Sequence, residues 1–154
     1  MSTVVVTRAV AAPVERVWGV FTDLPARAAW LSTVESVEVL PGPAFGAGTA
    51  WRETREMADG LRVTEEFRVL ECRPRECCVV ASPGDGAEYR MTYTFTERRG
   101  QTTVTAVQEA GPVGTSGRLL AAVLGGLAVR VSEGALRADL DDLAAAAERM
   151  HPVP

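Results

Sequence analysis

Six successive segments of strand character run from Thr33 to Ala110 with no helical period between them, and this run restricts the chain more than any other feature. TVESVEVL is followed by the turn-rich loop PGPAFGAG, then GTAWRETREM and LRVTEEFRVLEC joined at Ala58, Asp59 and Gly60. RECCVVAS follows Pro74, PGDG turns the chain into AEYRMTYTFTE, and RRGQ turns it again into TTVTAVQEA. Such a run folds as an antiparallel meander, with one face toward a core and the other toward solvent.

The flanks supply what covers that face. TVVVTRAV opens as a strand. AAPVERVWGVFTDL then places Pro13 at a first helical turn and Val14, Val17, Trp18 and Phe21 at helical spacing. Asp23 is positioned to cap a second short helix, PARAAWL. After GPVGTSG, residues 118–149 read as one helical stretch, with Leu120, Leu124, Leu127 and Val131, then Leu136, Leu140 and Leu143, at spacings of three and four. Gly125 and Gly126 interrupt it, which implies a bend, close approach of the sheet, or room for a ligand. The expected fold is α+β: a curved antiparallel sheet of about seven strands, two short helices after the first strand, and a long C-terminal helix across the concave face. With 154 residues the chain is expected to form a single domain over residues 1–150, followed by a tail at 151–154.

Period two sorts the meander into faces. Arg52, Thr54, Glu56, Arg62, Thr64, Glu66, Arg68, Arg90, Thr92 and Thr94 make a solvated outer face. The inward parity carries Trp51, Met57, Leu61, Val63, Phe67, Val69, Tyr89, Met91, Tyr93, Phe95, Val104 and Ala106. It also carries Glu53, Arg55, Glu65 and Gln108, and unpaired charge on a dry face is costly. Arg55 set between Glu53 and Glu65 across the hairpin would match a guanidinium fork to two carboxylates. That trio reads either as a network holding sheet to helix or as the polar fittings of a ligand cavity. Tyr89 and Tyr93 read as core aromatics or as cavity hydroxyls, and Trp30 as a residue of the cavity rim.

Composition removes several chemistries. A net charge of −4 gives no footprint for phosphate or nucleic acid. The only histidine, His151, lies in the terminal HPVP, which argues against histidine triads and most zinc sites. All 16 basic residues are arginine, a bias we read as genomic, and it leaves Schiff-base chemistry without a residue. Cys72, Cys77 and Cys78 bunch around one turn and read as reduced structural thiols. There is no basic segment ahead of an apolar one at the N-terminus, and the longest uncharged apolar run, Leu119 to Val129, is too short to span a bilayer. A cytoplasmic protein is expected.

APVERVWGVFTDLPARAAWL, GAGTAWRETRE and a long helix ending in LDDLAAAAER resemble the polyketide cyclase and dehydratase-like branch of the START or Bet v 1-type helix-grip superfamily, over almost the whole chain. The resemblance implies a deep apolar cavity between sheet and C-terminal helix for a hydrophobic, oxygenated, polyketide- or lipid-like molecule, with no cofactor and no metal, in a monomer or homodimer. In such a cavity Arg55 would stabilise an enolate or alkoxide, Tyr93 or Tyr89 would relay a proton, and Glu53 or Glu65 would act as base if burial raises its pKa. Trp30, Trp51, Phe67, Tyr89, Met91, Gln108, Leu124 and Leu127 would contact the ligand. A cyclase/dehydratase, a non-catalytic carrier or sensor, and a co-chaperone-like interaction module all remain open at this stage, because one fold hosts many activities.

Overall fold

The computed structural model describes residues 2–56, 60–84, 87–112 and 133–149. Strand β1 (Ser2–Val10) leads into helix α1 (Val14–Thr22), a short 3₁₀ turn (Leu24–Ala26) and helix α2 (Arg27–Trp30). Strands β2 (Val34–Val39), β3 (Ala50–Glu56), β4 (Arg62–Arg73), β5 (Cys77–Gly84), β6 (Ala87–Arg98) and β7 (Gln101–Pro112) follow. Helix α3 spans 133–149. The six-strand meander with one leading strand is the architecture the sequence predicts. The part of the predicted helix before 133, with Leu124, Leu127, Gly125 and Gly126, and the tail at 151–154 lie outside the described residues, as does Met57.

The seven strands form one antiparallel sheet in the order β1-β7-β6-β5-β4-β3-β2. The first strand therefore pairs with the last, Val4 opposite Gln108 and Val6 opposite Ala106, and β1 and β2 stand at opposite edges. Helices α1 and α2 carry the chain from one edge to the other. The β6–β7 turn places both Arg99 (φ 56°) and Gly100 (φ 78°) in the left-handed region, the geometry that matches strand twist in a two-residue hairpin.

Pro13 sits one residue before α1, where it leaves the helix without a side-chain cap. The Glu97 carboxylate fills that role from β6, accepting the Val14 N–H at 2.7 Å, where a helix N-terminus favours negative charge. Asp23 stands ahead of the 3₁₀ turn but makes no side-chain capping hydrogen bond, so that expectation holds for its position and not for its chemistry.

The predicted inward face is the core. Trp51, Phe67, Val69, Tyr93, Phe95, Val104 and Ala106 are all buried, together with Leu136, Leu140, Leu143, Ala144 and Ala147 of α3. The helix is also gripped along both flanks. Asp142 accepts from the Ser32 N–H and hydroxyl at 2.9 and 2.8 Å, while Asp141 pairs with Arg8 of β1 at 2.9 Å and Glu148 accepts the Ala11 N–H at 2.9 Å. Leu61 and Val63 depart from the predicted core: both are exposed, near the start of β4.

Leu143→Ala removes a fully buried anchor of α3 and is expected to cost about 2–5 kcal/mol in urea unfolding. Leu70→Ala, at an exposed site on β4, should change stability by less than about 0.5 kcal/mol in the same measurement.

Candidate functional site

Glu53 projects from the middle of β3 toward the core and is only 1% exposed. A carboxylate so placed must be surrounded by donors. Its Oε1 accepts from Arg27 Nε and from the Trp51 indole Nε1 at 2.9 Å, and its Oε2 accepts from Arg55 Nη2 at 3.0 Å and Arg55 Nε at 3.3 Å. Burial alone would raise its pKa. The guanidinium groups of Arg27 and Arg55 and the Trp51 and Arg27 hydrogen bonds together outweigh burial, so the carboxyl is held below its ordinary value.

Arg55 extends the network to α3. Its Nη2 donates to Asp139 Oδ2 at 3.1 Å and its Nη1 to Thr33 Oγ1 at 3.1 Å, while the Thr33 hydroxyl donates to Asp139 Oδ1 at 3.0 Å. Burial opposes the charge on Arg55, but Asp139 and Glu53 more than compensate and hold its proton above the ordinary arginine value. Arg27, 8% exposed, has its guanidinium carbon 5.6 Å from the ring centres of both Trp30 and Trp51, a cation–π arrangement on two indoles.

These groups border a small cavity between sheet and helices, lined by Phe21, Arg27, Phe45, Trp51, Arg55, Phe67, Val80, Met91, Tyr93 and Asp139. Its volume is about 30 Å³, room for one or two waters. The described residues do not show the deep cavity implied by the sequence resemblance; around this small one, aromatic rings pack closely. Phe21 stands edge-on to Tyr93 at 4.8 Å and to Phe95 at 5.2 Å, and Phe45 edge-on to Trp18 at 6.2 Å and to Phe21 at 6.4 Å. Tyr93 is buried among them, its hydroxyl donating only to the weak acceptor Met91 Sδ at 3.3 Å. Burial is the main reason its phenol is pushed well above the ordinary tyrosine pKa, so the proton stays on.

Of the residues singled out from sequence, Glu53, Arg55, Tyr93, Trp51, Phe67 and Met91 are brought together at this cavity. Glu65 is directly opposite Glu53 in register, but it is exposed and accepts the Ser82 hydroxyl at 3.3 Å. The expected bridging of Glu53 and Glu65 by Arg55 is thus replaced by Glu53 and Asp139, because the carboxylate on α3 reaches the fork from above the sheet. The condition attached to Glu53 as a base also fails, since its pKa falls instead of rising. Tyr89 and Gln108 are half-buried on the same face and do not line the cavity. Trp30 is half-buried beside Arg27, with its indole N–H buried and without a hydrogen-bond partner among the described residues.

Arg27, Asp139, Thr33 and Phe45 join the site without being predicted from the sequence. A signal exists for two of them. Arg27 lies three residues after Leu24 and four before Leu31, and Asp139 three after Leu136 and four before Leu143, so each is a charge on an apolar stripe. Burial raises the thiols of Cys72 and Cys78, the latter to about 12, which suits inert packing groups. Among the described residues no three His, Cys, Asp or Glu side chains are grouped to hold a metal ion, and no helix is long and apolar enough to cross a membrane.

A seven-stranded curved antiparallel sheet closed by a C-terminal helix, with polar groups fixed where sheet and helix meet, defines a helix-grip protein. The chain belongs to the family described as polyketide cyclase / dehydrase and lipid transport, whose profile matches residues 1–148. No curated protein matches it in sequence. Among solved structures it is similar to TTHA0849 from Thermus thermophilus, with TM-score 0.79 and 22% identity over 98% of this chain and 100% of that one. It is also similar to the Zhui aromatase/cyclase from Streptomyces sp. R1128, with TM-score 0.81 and 20% identity over 96% and 94% of the two chains. The di-domain ARO/CYC BexL from the BE-7585A biosynthetic pathway matches with TM-score 0.74 and 20% identity over 99% of this chain and 50% of its own.

Removing Arg27 takes one of two guanidinium partners from a buried carboxylate, so Arg27→Ala is expected to cost about 3 kcal/mol in chemical denaturation. Arg62→Ala, which breaks an exposed pair with Glu35, should cost no more than about 0.5 kcal/mol. Since the folded-state pKa of Glu53 lies below 4.5, its ion-pair stabilisation is complete above that pH and is lost as pH falls through the folded value. In Glu53→Gln that part of the acid-induced fall in Tm should be missing, and an unchanged acid profile would show that Glu53 does not titrate as described.

Proposed function

We propose that this protein binds an apolar, oxygen-bearing small molecule of the aromatic polyketide type in the space between sheet and α3, and orients it through a carbonyl or hydroxyl oxygen. The observation that carries this reading is the state of Arg27. It is buried, borders the cavity and lies over the rings of Trp30 and Trp51, with its Nε–H donated to Glu53. A guanidinium has five donors in a fixed fork, and the Glu53 contact uses one of them. A ligand oxygen in the cavity would accept from this fork, beside the protonated Tyr93 hydroxyl and the fixed charge of Arg55.

The chemistry open to such a site is stabilisation of negative charge as it develops on an enolate or alkoxide, as cyclisation and dehydration of a poly-β-ketone require. The family and the aromatase/cyclase named among its structural neighbours support that class of substrate. Glu53 contributes as a counter-ion that fixes both guanidinium groups. As a carboxylate with a lowered pKa it is a weak base, and this observation favours a second reading, a carrier or sensor that uses the same contacts without turnover.

Calorimetry with a hydroxyanthraquinone should show saturable binding, and Tyr93→Phe should weaken it about fivefold to tenfold while preserving the fold, the worth of one hydrogen bond. Incubation with a linear poly-β-ketone mimic and mass analysis then separates the readings. Loss of water supports the cyclase/dehydratase, and binding at unchanged mass supports the carrier. No binding of either compound overturns both.

A further inference from the structure

The segment 41–45 of the β2–β3 loop is built differently from its surroundings. Leu40 ends β2 by donating to the Ala50 carbonyl at 3.0 Å. The far side is pinned by Gly48 N–H to Val69 O at 2.8 Å, Thr49 N–H to Gly46 O at 3.0 Å and Gly46 N–H to the Thr49 hydroxyl at 3.0 Å, with Gly48 at φ 94°, a conformation that favours glycine. Between these two anchors, residues 41–45 form no backbone hydrogen bond among the described residues, and Pro41 and Pro43 have no N–H to offer. Pro41, Gly42, Pro43 and Ala44 are all exposed. Only Phe45 turns inward, held edge-on by Trp18 and Phe21, and its ring borders the cavity that also meets Arg27, Arg55 and Tyr93.

We propose that Phe45 occupies the ring subsite of the ligand and acts as its gate: a flat aromatic ring enters by displacing the Phe45 ring, takes over the edge-on contacts to Trp18 and Phe21, and leaves its oxygen facing the arginines. This inference rests on the ligand-binding reading above. Three observations converge on it. As bounded by the described residues, the cavity of about 30 Å³ is too small for a ring, whereas a cavity of roughly 150 Å³ accepts benzene, so room must be made at this point before a ring can bind there. Of the aromatic rings at the cavity, Phe21 lies in helix α1, Trp51 in β3, Phe67 in β4 and Tyr93 in β6, so shifting the backbone beneath any of these breaks a helix or a ladder. Phe45 alone is carried by backbone with no such bonds to break. Its removal also exchanges one aromatic surface for another of the same kind, so the ligand class that fits is a planar ring and not a flexible alkyl chain, which offers no edge or face to Trp18 and Phe21.

The test uses 1-naphthol as the probe and measures binding by stopped-flow fluorescence and calorimetry on the wild type, Phe45→Ala, Phe45→Trp and Tyr93→Phe. Phe45→Ala should bind faster and more tightly, by on the order of tenfold, because no ring has to be expelled. Phe45→Trp should bind more slowly than the wild type. The wild type labelled with 4-fluorophenylalanine gives a second readout that does not depend on a variant folding: of the four phenylalanines, only Phe45 should move to a solvent-like fluorine shift when 1-naphthol binds. If 1-naphthol binds in a Tyr93-dependent way while the Phe45 signal and the Phe45→Ala kinetics stay unchanged, the gate is wrong and the ligand site stands. If neither the wild type nor Phe45→Ala binds 1-naphthol, both fall together.

Discussion

A buried carboxylate with three donors around it organises this molecule. Glu53 ties strand β3 to α2 through Arg27 and, by way of Arg55, to α3 through Asp139. Elements that are distant in sequence thus meet at a single charged centre. Such a centre is not a strong source of stability, since dry hydrocarbon of the same shape often does as well or better. What it provides is register. β3 cannot slip by one residue without turning Glu53 to solvent and two guanidinium groups toward hydrocarbon.

That arrangement explains how charge and aromatic packing coexist on one face. The Trp51 indole donates to Glu53 while its ring stacks on Phe67 at 5.6 Å and faces the Arg27 guanidinium. One side chain therefore serves both the polar centre and the apolar wall. The cavity lies at this boundary, with permanent charge on one side and phenyl edges on the other.

The period-two alternation of β3, β4, β6 and β7 makes the inward face legible, and with it Glu53, Arg55, Trp51, Phe67 and Tyr93, because a strand offers its side chains only two directions. Helices offer more, and there the sequence says less. α2 has four residues, too few to display a period by itself, so nothing in its pattern marks Arg27 as inward. Asp139 sits close to Asp141 and Asp142, and like residues in a row do not declare which one turns toward the sheet. Their placement on apolar stripes is the available cue. Glu65 shows the opposite failure: its parity is right, but parity says nothing about how far along the strand the cover of a helix extends. The size of the cavity is beyond the sequence altogether, since it depends on where the Phe45 ring rests.

The packing of α3 has a consequence of its own. Ala144 and Ala147 are fully buried, whereas Asp139, one to two turns earlier, borders the cavity. The carboxylate that holds the Arg55 fork is thus carried by a helix whose neighbouring turns, at Leu136, Leu140 and Leu143, are packed. The charged end of the cavity is therefore its fixed point of reference, and any adjustment of the space falls to the aromatic side.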